Sequence, residues 1–370
     1  MSSALIIDNW LLQDVGACLA EGLDSGESSE IQIRRRQNAH RYIDVPRAAV
    51  QIEALIALLI DIVLRDSLLV DSGFTAAWRR YKKNLTPLTD HGLVRAVDFR
   101  AAENRLPEVT KLIVDQLCVT RSLQEVQNLN EEGWRESRRL HDPYTSQIIW
   151  GTAGMLGRSH IFEAPYSGHP LRRRLLEQTF MSRTKRDVVT ETLEWMKSER
   201  MRIYEMRNEG SVVRQAILVL PPVVIDVIEE ARTADQLIPV ALQMRDRHRK
   251  LREWLKTIQI AVDSEDAKTI ASYRKTLEAV ARDIGREIGK DKETAPRISL
   301  EIGFGLPSIS FDLTTIDGIR KRFGMRAILS QQVFSARGEA SLKKLLNMFG
   351  EKRTRLSVSV HEYLRVHGGR

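Results

Sequence analysis

Two cysteines in 370 residues, Cys18 and Cys118, give no Cys-x-x-Cys pair and no Cys/His ligand spacing. That excludes a disulfide scaffold and a structural zinc site, and it fits a reducing, cytoplasmic setting. Neither a metal nor a cofactor is expected. No basic segment precedes the apolar residues of the N-terminal MSSALIIDNWLLQD, so no signal peptide is expected. The most apolar run, Ala54–Leu64, is too short to span a bilayer and is bounded by Glu53, Arg65 and Asp66. It reads as a buried helix, with no membrane partner. Repeats and low-complexity tracts are missing too.

What is abundant is arginine. There are 42 arginines against 15 lysines, and the net charge is +8. The planar guanidinium fork suits phosphate and carboxylate better than a lysine point charge does. A polyanion partner explains the excess, with nucleic acid favoured over an acidic protein. Arginine-rich codon usage explains it equally, because net charge speaks of non-specific binding rather than of fold.

The pattern predicts a mainly α fold, a multi-helical body with a small C-terminal α+β unit. Three regions follow: an N-terminal helical region over 1–145, with short strands near 4–8 and 30–36; a central helical region over 146–290; and the C-terminal unit over 291–370. One long helix is expected from Pro46 to Asp71, apolar almost all round. Others are expected over Phe74–Asn84, Asn104–Leu129, Pro170–Phe180 and Asp187–Met206, and a pair follows Pro221-Pro222, reaching Ile288 with a turn near Asp263-Ser264. The charged stretch 285–297 reads as a linker. Beyond it, RISLEIGFGLPSISFDL and TRLSVSVHEYL alternate like strands, with helical patterns between Thr315 and Phe349.

Two motifs fail on inspection. Arg35 and His40 fit the loose Arg-x4–6-His spacing of HEPN-type ribonucleases, but chance alone supplies roughly three such pairs in a chain this rich in arginine. IQIRRR also alternates like a strand, and the next helix starts after the histidine. GTAGMLGRS (151–159) has one residue too many between Gly151 and Gly157 for a Walker phosphate loop, and Arg158 stands in the lysine's place. Glycines that allow close helix packing are the better reading.

Four places carry the remaining chemistry. The densest polar cluster is SHIFEAPYSGHPLRRRLL, where His160, Glu163, Tyr166 and His169 lead into a helix whose first turn holds Arg172, Arg173 and Arg174. Cations at a helix N-terminus have the wrong sign, so an anion must lie near: a ligand's phosphate, or acidic side chains from elsewhere in the fold. His160, Glu163 and His169 are weak catalytic candidates, without helical metal-ligand spacing. Arg245, Arg249, Arg252 and Lys256 form a row of one sign beside an apolar stripe, a candidate nucleic-acid face; His248 falls on the stripe and reads as a hydrogen-bonded core histidine. Arg79 and Arg80 follow Phe74 and Trp78 on a basic helix whose aromatics read as core. Asp61 interrupts a buried run; Arg65 pairs with it locally, or else its desolvated carboxyl serves as an acid or base.

Nothing in these patterns decides whether the chain is an enzyme. The leading expectation is a cytoplasmic, arginine-rich helical binding protein that engages a polyanion. The alternatives are an enzyme acting on a phosphate-containing substrate at the 158–174 cluster, and a structural subunit with a protein partner.

Overall fold

A computed structural model describes residues 4–23, 29–35, 38–45, 47–75, 82–99, 106–118, 121–139, 143–173, 187–207, 220–287, 329 and 338–350. The chain is mainly α with a small sheet unit. Strand β1 (Ala4–Ile7) leads into α1 (Asn9–Glu21), then a two-stranded antiparallel hairpin, β2 (Ser29–Arg35) and β3 (Asn38–Val45). Next come α2 (Arg47–Leu64), β4 (Ser67–Asp71), the short α3 (Ser72–Thr75), α4 (Lys82–Asp90) and β5 (Val94–Val97). Helices α5 (Leu106–Leu117), α6 (Arg121–Ser137) and α7 (Pro143–Ile161) precede β6 (Tyr166–Ser167). The remainder is helical: α8 (Val188–Arg207), α9 (Pro222–Glu230), α10 (Leu237–Arg247), α11 (Arg249–Asp263), α12 (Ala267–Glu287) and α13 (Gly338–Met348).

Four strands form one parallel sheet in the order β5-β4-β1-β6. Alternation along β1 sends Leu5 and Ile7 into the main core with α1 and α2. Ile6 points the other way, into a smaller cluster with Phe99, Met155 and Ala164. Both faces of the sheet are covered at its centre, which is why the central strands β1 and β4 carry apolar runs, ALII and LLV, while the edge strand β5 is half-exposed. Helix α2 is buried almost all round and is packed by α1, α9, α10 and α11. Among the described residues, no helix is long and apolar enough to cross a membrane.

Two long helices expected from the sequence are each two elements. The run Pro46–Asp71 breaks at Arg65-Asp66, and SLLVD becomes β4, bonded to β1 on one side and β5 on the other. A strand buried on both faces has no alternation, so periodicity does not separate it from a buried helix. The run Asn104–Leu129 divides near Cys118 into α5 and α6. The strands expected after 296 and the basic helix from Ala76 to Tyr81 lie outside the described residues. The short N-terminal strands are present, and Arg35 and His40 sit on opposite strands of the hairpin, paired with Asn38 and Ile33. That removes the shared helical face a ribonuclease pair needs. The 151–159 glycines are helical, in α7: a Cβ on Gly157 would lie 2.8 Å from Leu106 of α5, so this glycine sets the α5–α7 approach.

Candidate functional site

The order of the sheet marks where a ligand crevice is expected. From β1 the sheet grows through β4 and β5 to one side, and β6 is then added on the other side of β1. In open parallel sheets ligands bind outside the carboxyl ends of the strands at such a reversal. At this point Asp8 follows Ile7 and caps α1, its carboxylate accepting the Trp10 N–H at 2.9 Å.

Asp8 is fully buried. It also accepts the His169 backbone N–H at 3.1 Å, Arg172 Nη1 at 2.8 Å and the Tyr166 hydroxyl. Burial alone would raise its pKa; Arg172 above all, then His169 and Tyr166, overrides it and holds the carboxyl below the usual range. His169 is also fully buried, meets Asp14 through Nε2 at 3.1 Å and stacks on Trp10 with ring centroids 4.1 Å apart. The Arg172 guanidinium lies 5.1 Å from the same indole and donates to the Gln147 carbonyl at 3.3 Å. It rests flat on α7 because position 151 is glycine: a Cβ there would fall 2.1 Å from Nη2. Arg173, 41% exposed, pairs with Glu53 of α2.

A second cluster adjoins the first through Ser167. The Ser167 hydroxyl donates to Asp61 Oδ2 at 2.6 Å. Arg65 reaches Asp61 only at 3.4 Å, and spends its fork on Asp187 at 2.6 and 2.5 Å. Two carboxylates thus share one guanidinium, and Asp187 has the better half. Asp61 is pushed up to about 6, chiefly by burial; Arg65 and Ser167 oppose the rise and the Asp187 charge adds to it.

The sign of that shift makes a prediction. The folded pKa lies above the ordinary 3.8, so the fold favours the protonated form. Stability from this group is complete below about pH 4 and is lost as pH rises through about 6, by roughly 3 kcal/mol in all. Asp8 and Asp187, held low, act oppositely and lose stability as pH falls. Asp61→Asn mimics the neutral carboxyl, so the variant is expected to be more stable than wild type at pH 8 and to lose that advantage by pH 4. Urea midpoints measured across this range decide; parallel profiles would count against the assignment.

The sequence candidates divide cleanly. His169 and Arg172 meet at Asp8, and Asp61 adjoins them through Ser167, whereas Arg173 pairs with Glu53 of α2. His160, on the last turn of α7, and Glu163, at φ 49°, stay exposed on the turn before β6. Arg174, Arg79 and Arg80 lie outside the described residues. The row on α10 and α11 is not an open cationic face. Arg245 is buried and donates to the Ile62 and Arg65 carbonyls, and Arg252 donates to the Val63 and Arg245 carbonyls. Lys256 pairs with Asp66 at 2.7 Å, while Arg249 is exposed. The arginines are drawn inward because the last carbonyls of α2 lack helical partners and carry partial negative charge. His248 is buried and bonded to Asp226 at 3.0 Å, as its place on the apolar stripe implies.

Sequence reasoning missed Asp8, Trp10, Asp14 and Asp187. The available signal was ALII ending in Asp, a strand that runs straight into a helix cap. Two buried polar atoms at the crevice have no hydrogen-bond partner: Asn9 Oδ1 and Arg172 Nε. Among the described residues, no group of three or more His, Cys, Asp or Glu is placed to hold a metal ion. No family model, curated protein or solved structure matches the chain.

Proposed function

We propose that this chain binds a phosphate-bearing polyanion, with nucleic acid favoured, at the crevice between β1 and β6. The observation that carries the reading is the unsatisfied Arg172 Nε, buried at the reversal of strand order; Asn9, next to Asp8 in the chain, has an unsatisfied buried Oδ1 as well. Buried donors without partners are rare and call for water or a ligand. A phosphate oxygen satisfies an arginine Nε–H, and Asn9 turned about its amide offers its NH2 to an anion as well. Arg173 adds a half-exposed cation one residue on, and the chain's net charge of +8 draws polyanions toward it. A cytoplasmic setting fits the two free, buried thiols.

A second reading, an enzyme acting on a phosphate-containing substrate, draws on Asp61, whose carboxyl at about 6 is suited to proton transfer near neutrality and is bonded to Ser167.

Arg173→Gln tests the site, because Arg172 cannot be removed without exposing the buried Asp8 charge. Binding of a fluorescein-labelled 12-nucleotide strand is expected to weaken. The log–log salt slope should fall by about one unit, because one fewer phosphate is neutralised. An unchanged slope and affinity would remove the crevice from the binding surface and leave a structural subunit as the better account.

A further inference from the structure

We propose that the polyanion is single-stranded nucleic acid and that one of its bases stacks on Trp150, beside the arginine that receives its phosphate. This rests on the polyanion reading of the crevice. Trp150 directly precedes Gly151, the residue against which the Arg172 guanidinium lies, so the indole starts one residue along α7 from that contact. The indole is 39% exposed although large and apolar. Its N–H donates to Gln127 Oε1 of α6 at 3.2 Å, which orients the ring on the seam between α6 and α7.

A second exposed indole continues the seam. Trp134 is 50% exposed and lies seven residues beyond Gln127, two turns along the same face of α6. That places it about 10 Å further along the helix axis. Arg138, one turn on, holds its guanidinium 5.8 Å from this ring. Aromatic platforms interleaved with arginine are how proteins hold unpaired strands: each base offers a π-face, and the cations follow the phosphates. A duplex keeps its base faces inside the stack and shows only edges in the grooves, so it offers nothing to these rings. Trp134 carries the Arg138 guanidinium at its ring, and the exposed Arg135–Glu131 ion pair lies on the same helix, so this indole is not part of one apolar patch of the kind that marks a protein partner.

The full-length chain is titrated against a labelled 12-nucleotide single strand, the same strand as a duplex, and an abasic strand of equal length. Trp150→Ala is expected to weaken single-strand binding about tenfold, within the range for one stacked base. Because stacking neutralises no phosphate, the salt slope should not change, which separates this variant from Arg173→Gln. Trp150→Phe keeps a π-face and most of the affinity. Wild type should bind the abasic strand and the duplex about as weakly as Trp150→Ala binds the intact strand. Loss of affinity in Trp150→Ala that Phe restores supports the proposal. Strand binding that depends on Arg173 but is unaffected in Trp150→Ala overturns the stacking alone and leaves the indoles to a protein contact. Strand and abasic affinities that are equal in wild type overturn it as well. No strand binding by wild type at low salt overturns both this proposal and the reading beneath it.

Discussion

Arg172→Met is expected to cost about 3–5 kcal/mol of folding stability, because it leaves the fully buried Asp8 carboxylate without its counter-charge. Tyr166, Trp10 and His169 still donate to Asp8, but none of these bonds brings a fixed positive charge. Asp8→Asn strands the guanidinium instead and loses a similar amount. The double variant should lose clearly less than the sum, since removing both partners of a buried pair costs far less than removing one. The asparagine keeps the cap on α1, so the coupling reports the ion pair and not the helix end. Urea unfolding of the four proteins at pH 7 measures it. An additive cycle, or a loss below about 1 kcal/mol in Arg172→Met, would mean that the pair does not hold β1 to the chain after β6.

Arg245→Gln is expected to cost roughly 3 kcal/mol while Arg249→Gln stays within about 0.5 kcal/mol, although sequence puts the two one helical turn apart on the same row. Arg245 is buried and spans two carbonyls at the end of α2, those of Ile62 and Arg65. A shorter, neutral amide does not reach both and brings no charge to the negative end of the helix. Buried acceptors left unpaired bear the full desolvation cost. Arg249 is exposed and has no such task. Thermal or urea unfolding separates the two; equal losses would contradict the capping role. It follows that a triple replacement of Arg245, Arg249 and Arg252 tests the fold more than any binding face.

Much of the helical part was legible. The helix expected over Asp187–Met206 is observed to within a residue. Of the pair expected from Pro222 to Ile288, the second is α12, beyond the turn at Asp263-Ser264, while the first is three helices, α9, α10 and α11, broken after Glu230 and at His248. The wrong sign of Arg172 and Arg173 was legible as well, since it needs only the helix dipole, and it required an anion nearby. Which anion was not legible. Asp8 lies 164 residues from Arg172, and Glu53 lies 120 from Arg173. Arg65 shows the same limit: its local partner Asp61 was visible one turn away, yet its closer bonds go to Asp187, 122 residues on. Local sequence determined the periods, the caps and the mismatch of charge, because those forces act within a turn or two of backbone. The reversal of strand order at β1, the sharing of one guanidinium by two carboxylates and the inward turn of Arg245 were decided by the tertiary structure. Strand order and helix packing choose which distant charges meet, and a buried charge takes the partner that the fold brings within reach.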